Sequence, residues 1–144
     1  MEDNMPTLDR AIKIAAAAHI GQKDKSGQPY ILHPLRVMFT VQTEEEKIVA
    51  VLHDTVEDTE VTFEELKTNG FSDVIIEALR SVTKNPGETR MDAARRAKAN
   101  PIGRQVKLAD LKDNMNIDRI AEPSQKDWDR LKEYHQVKTF LLSD

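Results

Sequence analysis

The segment Val51-Leu52-His53-Asp54-Thr55-Val56-Glu57-Asp58 gathers four ionisable side chains at the polar end of an apolar run. His53 and Glu57 are four residues apart, as are Asp54 and Asp58, and Asp54 and Glu57 are three apart. On a continuous helix that spacing projects all four into one sector. Three carboxylates held so close repel one another, and a divalent cation is a natural way to relieve the repulsion. A solvated acidic helix end with a half-buried histidine has the same residues, so this segment alone leaves both readings open.

Two further residues bear on the choice. His33 lies in Tyr30-Ile31-Leu32-His33-Pro34, just before a helix should begin, and Asp110 ends the run Val106-Lys107-Leu108-Ala109-Asp110. Asp110 and Asn114 are four apart and share a helical face. Taken singly, His33 also suits a helix cap and Asp110 a buried ion pair. Together with His53 and Asp54 they offer two imidazoles and two carboxylates. That mixed nitrogen–oxygen set suits manganese, iron or zinc better than calcium. Four protein ligands on a six-coordinate ion leave room for water and a phosphate oxygen. Glu57 and Asp58, one turn on, could then orient or deprotonate the water, or pass a proton to the leaving group. The chain has no cysteine, which removes thiolate ligation and disulfides alike.

The elements that would hold these residues read as a string of helices. Leu8, Ala11, Ile12, Ala15 and Ala18 mark one face of a first helix, about residues 7–19. Residues 21–30 form a polar loop with two glycines and a proline. A second helix starts near Pro34, which a first turn tolerates. Thr43 with Glu46, and Thr62 with Glu65, have capping-box spacing, and Gly70 is a helix stop. Further helices are expected over 72–82, 91–99 and 103–116. Ser124 caps a last helix carrying Trp128, Leu131, Tyr134, Val137 and Leu141. No stretch alternates as a strand does, so the fold expected is all-α.

The 144 residues suit a single domain, 1–144, with a real core. No apolar run approaches a membrane span. The opening ten residues are acidic and polar, unlike a secretory signal, so a cytoplasmic setting is expected. A net charge of −4 argues against nucleic acid as a partner. A local basic pocket for a phosphorylated small molecule remains compatible with it, with Lys23, Lys25 and Lys107 as its source. Arg90, Arg95 and Arg96 read as a solvated face.

His33, then His53-Asp54, then Asp110 resemble the ordered metal ligands of the HD superfamily of phosphohydrolases. His53-Asp54-Thr55-Val56-Glu57-Asp58 resembles the HDxxED signature of its alarmone hydrolase branch. That branch includes the hydrolase domains of RelA/SpoT-homologue enzymes and the stand-alone small alarmone hydrolases. His19 to Gln22, Lys25 to Pro34 and Lys107 to Met115 extend the likeness over about residues 8–120.

The resemblance implies an HD-type helical bundle holding one Mn2+, other divalent transition metals being alternatives. It implies stringent-response chemistry: metal-dependent removal of the 3′-diphosphate of a (p)ppGpp-like nucleotide, releasing pyrophosphate. His33, His53, Asp54 and Asp110 match the metal ligands, and Glu57 and Asp58 the catalytic pair. Lys25 matches a basic residue near the nucleotide and Asn114 a polar one near ribose and phosphates; Ser26 and Tyr30 share the Lys25 loop. Asp24 stands where the family carries arginine; it can accept hydrogen bonds from a base edge but cannot stack as a guanidinium does. Leu111, Asp113 and Arg90 depart from the pattern as well. An adenine alarmone is therefore a second expected substrate. An HD-type nucleotide phosphatase and a non-catalytic nucleotide-binding regulator are the competing readings.

Overall fold

The computed structural model describes residues 7–144; the acidic opening residues read above lie in part outside them. Among the described residues nine α-helices follow in order: α1 Leu8–Ala18, α2 Leu32–Thr40, α3 Glu44–Leu52, α4 Thr55–Asp58, α5 Phe63–Thr68, α6 Asp73–Val82, α7 Arg90–Ala99, α8 Pro101–Asn114 and α9 Gln125–Leu142. A 3-10 turn, Ile117–Arg119, separates the last two. Among the described residues the one extended pairing is an isolated antiparallel bridge between Lys23 and Pro29, so the all-α expectation holds.

Local chemistry explains most helix starts. Thr43, Thr89 and Ser124 each cap a helix while the third residue onward returns a carboxylate to the cap's backbone N–H. Thr62 makes only half of its expected box, accepting from the Glu65 amide at 3.1 Å. Asn100 caps α8, whose first residue, Pro101, has no N–H to leave unsatisfied. Gly70 ends the α5 turn with φ +95°, a left-handed conformation that costs a side-chain-bearing residue more.

The centre of the bundle is α3. Ile48, Val49, Ala50, Val51 and Leu52 are all buried, and α1, α2, α6 and α8 pack around them. A helix apolar on every side must be covered on every side. Leu52, Leu66 and Leu79 are wholly inside, each contributing about 1.5–3 kcal/mol by removal from water. A smaller cluster, Ala94, Leu111, Val137 and Leu141, joins α9 to α7 and α8. Within α9 only Val137 and Leu141 of the expected apolar set are fully buried, and Trp128 stays half exposed. α8 therefore touches both clusters, and it carries Lys107, Asp110, Asp113 and Asn114 into the space between them. No described helix is long and apolar enough to cross a membrane.

Candidate metal centre

The helix expected through Leu52 ends there and does not continue to Asp58. α3 ends at Leu52, His53 is its C-cap, and Asp54 sits in a turn at φ −98°, ψ −3° before the short α4 begins. The break has a geometric consequence. Successive residues of an unbroken helix do not face one another. Across this turn His53 Nε2 and Asp54 Oδ2 come within 3.1 Å and point into one cluster.

His33 enters that cluster from the first turn of α2 and Asp110 from the middle of α8. One donor atom from each of His33, His53, Asp54 and Asp110 lies within 4.8 Å of all the others. Asp110 Oδ1 is 2.9 Å from His33 Nε2 and 3.1 Å from His53 Nε2. It also accepts from Asn114 Nδ2 at 3.2 Å, while Lys107 Nζ donates to Oδ2 at 3.1 Å. Tyr30 donates its hydroxyl to Asp54 Oδ2 at 2.5 Å. His53 Nδ1 donates to the Ala50 carbonyl, which turns Nε2 inward. Two imidazole nitrogens and two carboxylates, buried and convergent, are a donor set that fits a divalent transition metal.

The charges are strongly perturbed. Burial disfavours a charged His53, yet Asp54 and Asp110 outweigh it and hold its pKa well above the usual value. Burial likewise opposes ionised Asp110, but Lys107 and His53 hold its pKa well below the carboxylate range. Burial, then Asp54, pushes the Tyr30 hydroxyl up, so it remains a donor. Asp58 is raised to about 6 by burial and by the charges of Asp54 and Glu57.

Glu57 and Asp58 line a cavity of about 310 Å³ that also contains the four cluster residues. Glu57 Oε1 accepts from the Lys84 amide at 2.8 Å, which holds the carboxylate over the α6–α7 connection. Lys107 and Asn114 face this cavity too, although both already bond Asp110. A second cavity of about 250 Å³ adjoins it, with Tyr30, His33, Asn114 and Tyr134 lining both. The loop residues Asp24, Lys25 and Ser26 line this second space. Asp24 Oδ1 accepts from the Ser26 amide, the Ser26 hydroxyl and the Gln28 amide, each at 2.9 Å. Asp24 and Ser26 thus shape the loop besides facing the cavity. Lys25 is 57% exposed, 3.8 Å from Asp127.

Sequence reasoning gave no role here to Asp113 or Arg119. Asp113 hydrogen-bonds His33 Nδ1 at 2.6 Å across 80 positions. Arg119 lies 3.9 Å from Asp24 Oδ2 and lines the second cavity. Neither had a local signal; a cation facing the buried side of Asp24 follows only from the need to balance its charge. Arg96, read as part of a solvated face, instead clamps Glu88 at 2.6 and 2.9 Å and donates to the Thr83 carbonyl at 2.6 Å. Arg90 lies over the Tyr134 ring at 4.9 Å, and only Arg95 of the three is mainly in solvent.

No family model matches the chain. Curated relatives do. A guanosine-3′,5′-bis(diphosphate) 3′-pyrophosphohydrolase of Aquifex aeolicus is 41% identical over 81 residues, 54% of this chain and 12% of the relative. A probable GTP pyrophosphokinase of Mycobacterium leprae is 32% identical over 139 residues, 85% of this chain and 17% of the relative. The chain thus spans less than a fifth of the length of these relatives. A solved structure of a metazoan SpoT orthologue, described as hydrolysing ppGpp, superposes with a TM-score of 0.75 at 24% identity, covering 94% of this chain and 84% of that one. The chain is thus similar in sequence to relatives named as guanosine-3′,5′-bis(diphosphate) 3′-pyrophosphohydrolases. The HD step is the turn at His53-Asp54, and the helical frame around it is shared with that orthologue.

Proposed function

We propose that this HD domain binds one divalent metal ion through His33, His53, Asp54 and Asp110, with Mn2+ as the ion, and hydrolyses the 3′-diphosphate of a ppGpp-like nucleotide. The carrying observation is the convergence of those four donors within 4.8 Å, in a cavity also lined by Glu57 and Asp58. The relatives named as 3′-pyrophosphohydrolases support the substrate class.

When bound, the ion supplies Lewis acidity, polarising the phosphorus centre and acidifying water. Water oxygen attacks the phosphorus attached to the ribose 3′-oxygen; the P–O3′ bond breaks, and pyrophosphate and a 3′-hydroxyl result. The proton lost by water goes to the Glu57-Asp58 pair, and the departing 3′-oxygen recovers one. Asp58, at about 6, is suited to exchange protons near neutrality. Glu57, held by the Lys84 amide, orients the water. Lys84, Arg90 and Lys107 line the same cavity and bind phosphate oxygens. Asn114, Lys25, Ser26 and Asp24 face the adjoining cavity, where the nucleoside sits. Asp24 keeps an adenine alarmone as a substrate alongside the guanine one. A cytoplasmic setting accords with this substrate.

The test is a Mn2+-supplemented panel of guanine and adenine 3′-diphosphate nucleotides, read by product mass. Pyrophosphate released only with metal supports the reading. Orthophosphate as the first product would assign an HD-type phosphatase, and tight nucleotide binding without turnover a regulator.

A further inference from the structure

Asp113 is a carboxylate beside the cluster to which the proposed reaction gives no task. It stands on α8, one turn past Asp110, with its side chain largely removed from solvent. Its Oδ2 lies 2.6 Å from His33 Nδ1. Arg36 donates to it twice, from Nε to Oδ1 at 2.7 Å and from Nη2 to Oδ2 at 3.1 Å. Arg119 Nη2 donates to the Asp113 backbone carbonyl at 2.8 Å and lies 3.4 Å from Oδ2.

We propose that Asp113 is a positioning residue: it fixes His33 for metal binding and joins that imidazole, through Arg119, to the wall of the adjoining cavity. This inference rests on the metal-site reading. An ionised carboxylate only accepts, so the His33 proton it receives must sit on Nδ1. Nε2 is thereby directed at Asp54 and Asp110, 3.6 and 2.9 Å away. A carboxylate behind a ligating imidazole sets its orientation and raises its basicity toward a metal. His53 has only the Ala50 carbonyl behind it, so the two imidazoles are held by unlike partners.

The two arginines give Asp113 its fixed geometry. Arg36 grips it from α2, the helix that carries His33, so the imidazole and its acceptor are anchored to each other twice. Arg119 reaches it from the far side and also approaches Asp24 Oδ2 at 3.9 Å. Oδ2 of Asp24 is buried without a hydrogen-bond partner, so Arg119 is held between two carboxylates of one connected set. The set runs from the metal ligand His33 through Asp113 and Arg119 to the Asp24 loop.

The test uses the full chain and Mn2+ alone. Mn2+ affinity is measured by electron paramagnetic resonance of the free ion for the unsubstituted protein, Asp113→Asn and Asp113→Ala. Circular dichroism and thermal melting without metal establish that each variant is folded. Asp113→Ala should weaken Mn2+ binding by about 10–100-fold. Asp113→Asn should lose less, because its amide oxygen still accepts from Nδ1–H. Long-range proton–nitrogen spectra of the Zn2+-loaded protein should show the His33 Nδ1 proton protected from exchange with water, and lose that protection in the alanine variant. A folded Asp113→Ala variant that binds Mn2+ within twofold of the unsubstituted chain would overturn the role of Asp113; if that variant does not fold, a His33 Nδ1 proton that exchanges freely with water in the unsubstituted Zn2+-loaded chain would overturn it. An unsubstituted chain that does not bind Mn2+ would overturn the metal-site reading instead.

Discussion

Gly103→Ala should destabilise the protein by about 1–2 kcal/mol, because α8 crosses α6 at a point with no room for a methyl group. A Cβ at Gly103 would stand 2.0 Å from Ser81 Oγ and 3.2 Å from Ser81 Cβ. The hydroxyl can rotate away, but it then loses its 2.6 Å bond to the Ala78 carbonyl, a loss of about 0.5–1.5 kcal/mol. The carbon–carbon contact must still open by a few tenths of an ångström, and overpacking of this kind costs about 1–3 kcal/mol. Alanine returns about 1 kcal/mol of helix propensity. In a chain of this size the net change lowers Tm by roughly 3–8 °C. Urea denaturation and calorimetry of the unsubstituted chain, Gly103→Ala, Ser81→Ala and the double variant form a cycle. The double variant should be more stable than the single losses add up to, with a coupling of about 1 kcal/mol. A Gly103→Ala protein as stable as the unsubstituted chain, or strictly additive losses, would refute the reasoning. The contact matters for function because it sets the height of α8, and with it Asp110, against the α3 end.

Asp54→Ala and Asp110→Ala should each abolish Mn2+ binding by calorimetry and, with it, pyrophosphate release. Glu57→Gln and Asp58→Asn should remove turnover while Mn2+ still binds, seen by running both assays on the same preparation. Asp58 has a folded pKa of about 6, above the ordinary aspartate value of 3.8, so the fold favours its protonated form and loses that contribution as pH rises from about 4 to 6. Metal-free Asp58→Asn should therefore gain stability over the unsubstituted protein at pH 8 and lose the advantage at pH 4, by urea midpoint. Thr89→Ala removes the box that starts α7 and should cost about 1 kcal/mol in the same assay.

Helix starts were legible because their chemistry is local. Thr43 and Ser124 bond amides three residues away, and a spacing of three is visible in the chain. The four proposed ligands were legible by residue type and order, since His33, His53, Asp54 and Asp110 bring the donors a transition metal takes. The α3–α4 break was not: nothing in residues 51–58 forbids a continuous helix. Arg96 was misread because its partners, Glu88 and the carbonyls of Arg80 and Thr83, lie 8–16 positions away.

By itself the sequence determined an all-helical chain, where most helices begin, and which side chains could meet a metal. Tertiary structure decided how they meet. It turned the backbone at His53-Asp54 so that neighbouring side chains face one point, and set Asp113 behind His33. It also left Arg119 between Asp24 and Asp113. The physical reason is the range of the forces. A cap satisfies a backbone amide within one turn, whereas a buried charge must find its counter-charge wherever the packed helices bring one.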